Sequence, residues 1–256
     1  MSLLKKIGIY FIFTLFLITL ANLGLTADKV RIKNIVISGN TSVPSETILK
    51  LVDNELNKVY LWITPTDNLL LLRRSAINNQ ILDNIKKIGS VRILIHGISN
   101  IEVAVLERKS SNLWCKGIPS NTKDCYFMDS SGFVFQEAPT FSDDSFTKFF
   151  GLITADDPIG SIYFVNNFNN IYSLFSKFRD MSFQPKYFNA SSENEYEIII
   201  FGGGKIFINN KKPFTTSLVN LQALIDNKYI KIDDSSLKKI KYIDLRFGNK
   251  VNFELY

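Results

Sequence analysis

Between Ile7 and Leu25 the chain reads IGIYFIFTLFLITLANLGL, nineteen residues without a single charge. Written as a helix, a run of that length measures roughly 28 Å, close to the hydrocarbon thickness of a bilayer. Lys5 and Lys6 stand immediately before it. By the positive-inside bias they hold the tail 1–6 in the cytoplasm and place the chain beyond the run outside. The pattern predicts a single-pass signal anchor over 7–26 in the cytoplasmic membrane, N-terminus inside and C-terminus out. The competing arrangement is a cleaved signal peptide, since Asn22 and Gly24 interrupt the run and Leu25-Thr26-Ala27 suits a cleavage site. Both arrangements export the rest of the chain.

Export changes how the cysteines read. Cys115 and Cys125 flank nine residues that include Gly117, Pro119, Ser120 and Asn121, a loop composition. Outside the reducing cytoplasm the pair is expected to close that loop as a disulfide, with two free thiols as the alternative. The chain has one histidine, His96. One His and two Cys exclude a His-based metal cluster, a zinc ribbon and most Cys/His or Ser/His/Asp catalysis. The carboxylate pairs Asp143-Asp144, Asp156-Asp157 and Asp233-Asp234 fall in polar, turn-like stretches. Adjacent residues on an extended chain point to opposite sides, poor geometry for shared acid–base work. No enzymatic activity, no metal and no cofactor is expected.

Charge and phenylalanine divide the remainder. Residues 28–110 hold twelve basic and eight acidic side chains, a net +4, whereas residues 111–256 hold sixteen of each. No Phe lies between residues 17 and 126, and eighteen of the twenty-one follow Tyr126. A basic, Phe-free module therefore precedes a neutral, Phe-rich one. The whole-chain charge of +6 is too mild to imply nucleic acid.

In the first module, VRIKNIVIS (30–38) is rich in β-branched residues and ends at Gly39-Asn40, a strand and a turn. A helix is predicted over 42–56, with Ser42 as N-cap, Pro44 in the first turn, and Ile48, Leu51, Val52 and Leu56 on one face. A second is predicted over 75–87, with Ile77, Ile81 and Ile85 continuing to Ile88, Lys86 and Lys87 at its C-terminus, and Gly89 as its stop. Residues 91–96 and 101–107 read as strands joined by a turn at Gly97-Ile98-Ser99-Asn100. The order is β-α-α-β-β.

That order behind an apolar leader resembles the POTRA (polypeptide-transport-associated) domain, and more narrowly the FtsQ/DivIB family of bacterial cell-division proteins. The resemblance rests on IVISGNTSVPSETILKLV, on IDNIKKIGSVRILI, and on IEVAVLERKSSNLW with its Glu107, Arg108 and Trp114. Gly89-Ser90 stand where the family carries Pro and often an aromatic, and residues 58–74 are longer and more apolar than usual.

The second module begins with a hairpin over 125–135 turning at Asp129-Ser130-Ser131-Gly132. A strand at 148–153 and a helix at 166–178 come next, the helix with Phe168, Ile171, Phe175 and Phe178 on one side. Strands at 195–201 and 205–209 are joined by Gly202-Gly203-Gly204. That string lacks the spacing and the Ser/Thr of a phosphate loop, so a glycine hairpin is predicted. A helix at 216–226 precedes two terminal strands, Lys241–Phe247 and Lys250–Tyr256, around Gly248-Asn249. Within them, Tyr242-Ile243-Asp244-Leu245-Arg246 is similar to the family's most recognisable C-terminal string.

The resemblance implies an α+β chain: one N-terminal transmembrane helix, a POTRA-like domain over 28–109, and over 110–256 a mostly antiparallel, curved β-sheet domain with helices on one side. It implies a divisome scaffold at the septum. Partners would be small coiled-coil division proteins, FtsB/FtsL-like or DivIC-like, together with the septal wall synthesis machinery. Binding would be by strand addition at the C-terminal edge. Carried over, Arg246 and Phe247 match the basic and aromatic pair before the last turn, and Val251 and Phe253 line the final strand. The residues allow a plainer reading, with Arg246 paired to Asp244 or Glu254 and Phe247 in the core. An exported POTRA-type secretion or chaperone module is the alternative function.

Overall fold

The structure, a computed structural model, describes residues 3–25, 31–60, 64–65, 67–140, 146–163, 168–248 and 250–256. In its first helix, α1 (Leu3–Leu25), the described side chains are those of residues 7–19, all exposed. The side chains of Lys5 and Lys6, residues Thr26, Ala27 and Val30, the Asp143-Asp144 pair and Asn249 lie outside the described residues. Among the described residues no helix is long and apolar enough to cross a membrane. At the place of the expected transmembrane anchor the structure thus gives the coarser feature, an apolar helix.

The chain divides into two compact units, Met1–Arg108 and Lys109–Tyr256. After α1, the first contains β1 (Asn34–Ser38), α2 (Ser45–Leu56), β2 (Val59–Tyr60) paired with β3 (Thr64–Pro65), α3 (Arg74–Asn84), β4 (Ile88–His96) and β5 (Asn100–Glu107). The sheet order is β1-β5-β4, with β5 parallel to β1 and antiparallel to β4. The central strand alternates: Ile101, Val103 and Val105 are buried and pack with Ile48, Val52, Ile77 and Ile81 of the two helices. Each such side chain, fully buried, contributes roughly 1.5–3 kcal/mol. Gly39 ends β1 with φ +81°, and a Cβ there would stand 2.1 Å from the Val105 carbonyl oxygen, so the turn beside β5 requires glycine.

α2 and α3 each differ from expectation at an end. Pro44, not Ser42, occupies the N-cap of α2, and it makes no side-chain cap. Ser42 is engaged elsewhere. The Glu107 carboxylate accepts the Ser42 hydroxyl at 2.5 Å and the amides of Thr41, Ser42 and Val43 at 2.7–2.8 Å. A charged acceptor that gathers four donors is a better partner for that hydroxyl than one helix amide. α3 ends at Asn84, where Ile85 turns to φ −123°, so Lys86 and Lys87 lie past the helix. Gly89 is no stop: it sits inside β4. The isoleucine periodicity runs on to Ile88 because the first residue of β4 is buried in the same core.

The second unit contains β6 (Asn112–Ile118), β7 (Asn121–Met128), β8 (Val134–Glu137), β9 (Lys148–Gly151), α4 (Phe168–Asp180), β10 (Pro185–Ala190), β11 (Glu195–Ile200), β12 (Lys205–Asn209), α5 (Phe214–Asp226), α6 (Asp234–Leu237), β13 (Ile240–Asp244) and β14 (Asn252–Leu255). Nine strands form one sheet, ordered β14-β13-β12-β11-β10-β9-β6-β7-β8. Five neighbouring pairs are antiparallel; β6–β9, β9–β10 and β12–β13 are parallel. Phe149 lies at the middle of the core, its ring 5.4–5.9 Å from those of Tyr163, Phe168, Phe175 and Phe188. α4 and α5 bury Ile171, Phe178, Leu221 and Leu224 in this same cluster.

The segment around the cysteines is not a loop. β6 and β7 form a hairpin in which Cys115 and Cys125 are register partners with their sulfurs bonded, and Pro119-Ser120 alone make the turn. Glycine and proline suggested a loop; Gly117, at φ +93°, instead sits beside a bulge inside the ladder.

Two outcomes are expected for this fold. Replacing both cysteines by alanine removes a crosslink worth about 2–3 kcal/mol in the chain-entropy model, which lowers the unit's melting temperature by roughly 4–10 °C in calorimetry. For Glu107, burial works to raise the pKa, but the Ser42 hydroxyl and the amides of Val43, Thr41 and Ser42 outweigh it and hold the carboxyl at about 2. Its stabilisation is therefore fully present above the usual 4.5 and is lost as pH falls toward about 2. Urea titration should find Glu107→Gln about 1 kcal/mol less stable at neutral pH, allowing for solvent screening, with the difference vanishing near pH 2.

Candidate interaction edge

A sheet exposes unpaired backbone groups only at its outer strands, so the ends of the nine-stranded order are where strand addition is possible. At one end β8 is partly covered: Val134 donates its amide to the Ser161 carbonyl at 2.9 Å, and its own carbonyl accepts the Gly160 amide at 2.7 Å. At the other end lies β14, antiparallel to β13 with Ile243 opposite Phe253 and Asp244 opposite Asn252. The Tyr256 amide donates inward to the Lys239 carbonyl at 2.8 Å. By the two-residue alternation of such a ladder, Glu254 and Asn252 also face β13, and the backbone groups of Phe253 and Leu255 face outward.

Apolar side chains crowd this rim. Val251 and Phe253 are half-buried against the main core, and the Phe253 ring lies 6.4 Å from that of Tyr229. Phe247, Leu255, Tyr229 and Tyr256 are 57 %, 46 %, 63 % and 80 % exposed. Scattered apolar residues on a surface are ordinary, but a set beside an open strand suits a docking surface. Sequence alone does not single out Tyr229, Leu255 and Tyr256, because their place at the rim depends on which strand ends the sheet. Their one sequence signal is that they are large and apolar in polar surroundings.

Arg246 is already occupied. Its Nε and Nη2 donate to the two oxygens of Asp244 at 2.9 and 2.6 Å, and Nη1 to Glu195 Oε2 at 3.0 Å. Its guanidinium lies 5.1 Å from the Phe207 ring centre and 5.8 Å from that of Phe247. The bonds to Asp244, with those to Glu195, outweigh burial and raise its pKa further above the ordinary arginine value. Glu254, the other carboxylate weighed as a partner, pairs with Lys241 at 2.8 Å. Arg246 therefore holds the chain between β13 and the last turn, while Phe247 is exposed and outside the core.

His96 is exposed and faces Glu102 at 2.9 Å. Asp157 accepts the Ile159 amide in its own turn. Asp233 caps α6 by accepting from Ser235, Ser236 and the Ser236 amide; these bonds, the Ser235 hydroxyl first, lower its pKa to about 2. Gly202-Gly203-Gly204 turn the chain between β11 and β12, the first two with positive φ. Among the described residues no group of three His, Cys, Asp or Glu could hold a metal.

A scan against models of known protein families found no match for this chain, and a search of curated proteins found none.

Arg246→Ala should leave the nearly buried Asp244 carboxylate without its guanidinium and cost about 1–3 kcal/mol in urea unfolding. Arg246→Lys should recover only part of this, because an ammonium cannot span both oxygens.

Proposed function

We propose that this chain is a non-enzymatic, membrane-anchored division scaffold of the FtsQ/DivIB type. It sits at the septum in the cytoplasmic membrane with its N-terminus inside. It takes a segment of a small coiled-coil division protein as an added strand on β14, and so supports septal wall synthesis. The observation that carries the reading is that β14 ends the nine-stranded sheet, with apolar side chains along its rim.

Two features support the anchor. The run from Ile7 to Leu25 is charge-free and is preceded by two lysines. Within it, the Thr14 and Thr19 hydroxyls donate to the Phe11 and Phe16 carbonyls at 2.8 Å, so neither needs water. Strand addition draws affinity from backbone hydrogen bonds, and apolar neighbours such as Phe247 and Phe253 supply anchors.

Leu255→Pro tests the reading. It removes an outward amide and spares the inward ladder to β13. The full chain, co-expressed with the small coiled-coil division proteins of its own cell, should co-purify with them, and Leu255→Pro should reduce recovery about tenfold with its melting temperature unchanged. Undiminished recovery with both Leu255→Pro and deletion of residues 252–256 would overturn strand addition at this edge. Depletion should yield filaments and a fluorescent fusion should gather at midcell; normal division with diffuse signal would overturn the division role itself.

A further inference from the structure

On β10, β11 and β12 the buried residues Phe188, Ile198 and Ile206 face the helix-covered core. Their alternates, Tyr187, Asn189, Glu197, Ile199 and Lys205, therefore face the opposite side of the sheet. There they form the floor of a cleft of about 360 Å³, walled by Ile118, Pro119 and Ser120 at the tip of the β6–β7 hairpin. The Cys115–Cys125 disulfide staples that hairpin a few residues below its tip.

The floor is two rows of register partners. Tyr187 lies opposite Ile199, and Ile199 opposite Lys205; Asn189 lies opposite Glu197. The Glu197 carboxylate is bonded on both oxygens, to Lys205 Nζ at 2.6 Å and to Asn189 Nδ2 at 3.3 Å. Among the lining residues one carboxylate balances one ammonium, and at the margin the Lys148 ammonium lies 5.7 Å from the Tyr187 ring centre. The Lys205 ammonium keeps further donors, and the Asn189 carbonyl oxygen is free of the bond that its Nδ2 makes.

We propose that this cleft binds a neutral saccharide, one or two pyranose rings in size. A sugar hydroxyl both donates and accepts, so a neighbouring pair of hydroxyls matches the Lys205 donor and the Asn189 acceptor together. The C–H face of a ring suits the apolar wall of Tyr187, Ile199, Ile118 and Pro119. Glu197 and Lys205 already pair with each other, so a charged ligand finds no unpaired opposite charge among the residues of the floor. An extended peptide finds no free backbone ladder in the cleft, because these strands lie inside the sheet. The volume stands at the small end of the roughly 300–1,000 Å³ range of ligand cavities. This site is separate from β14, and its failure would leave the strand-addition reading intact.

The test titrates cellotriose, chitotriose and a blocked neutral tripeptide into the detergent-solubilised full chain, followed by calorimetry. At least one trisaccharide should saturate with a Kd on the order of 1 mM or tighter. Asn189→Ala and Lys205→Met should each weaken it about tenfold, with the far-ultraviolet circular dichroism and recovery of the β14 partner unaffected. The proposal fails if neither trisaccharide saturates, if both variants bind undiminished, or if the tripeptide binds more tightly than the sugars.

Discussion

The backbone ladder of a β-sheet satisfies every strand but the last one at each end, and in the second unit those two ends are finished differently. Beside β8, the segment around Gly160 and Ser161 returns to take the Val134 amide and carbonyl. β14 has its amide groups turned outward at Phe253 and Leu255, and its apolar rim is fed from the last turn, from β14 itself and from Tyr229 after α5. Unpaired groups at a sheet edge can receive another strand, and under the proposed reading the side chains beside them would select it.

That edge is held in place by charge and by packing. Arg246 ties Asp244 on β13 to Glu195 on β11 across the sheet, so the turn into β14 leaves from a fixed point. Beneath it, Ile243 and Leu245 belong to the same cluster as Phe149 and Phe188 near the middle of the sheet. Apolar burial supplies the stability, and the arginine supplies register at a site where one misplaced residue would turn every later side chain to the wrong face. In the first unit Glu107 does comparable work: a single carboxylate fixes the loop between β1 and α2 to the end of β5.

Much of the secondary structure was legible because periodicity reports burial. Ile101, Val103 and Val105 alternate and are buried; Ile48, Val52 and Leu56 share a helical stripe and are buried too. Expectation and structure part where one residue serves two patterns. Ile88 continues the stripe of α3 yet opens β4, which drew the predicted helix past its end at Asn84. Ser42 looked like a cap because a hydroxyl before a helix usually finds the nearest free amide, and a carboxylate sixty-five residues away in sequence took it instead. The hairpin of β6 and β7 was hidden by its glycine and proline, and β10 by its lack of alternation.

The candidate edge was legible only as a place. Sequence marked the last strand and named Arg246, Phe247, Val251 and Phe253, but it left open whether Arg246 met a partner or its own chain. By itself the sequence determined a charge-free leader, a Phe-free basic module, a Phe-rich neutral one, and too few His and Cys for most metal or nucleophile chemistry, because composition and periodicity are local properties. Which strand lies outermost, which carboxylate captures Arg246, and which five side chains gather beneath a disulfide-bound hairpin were decided by tertiary structure. Each depends on the order and register of strands far apart in the chain, and the free energy that selects that order comes from burying all of them at once.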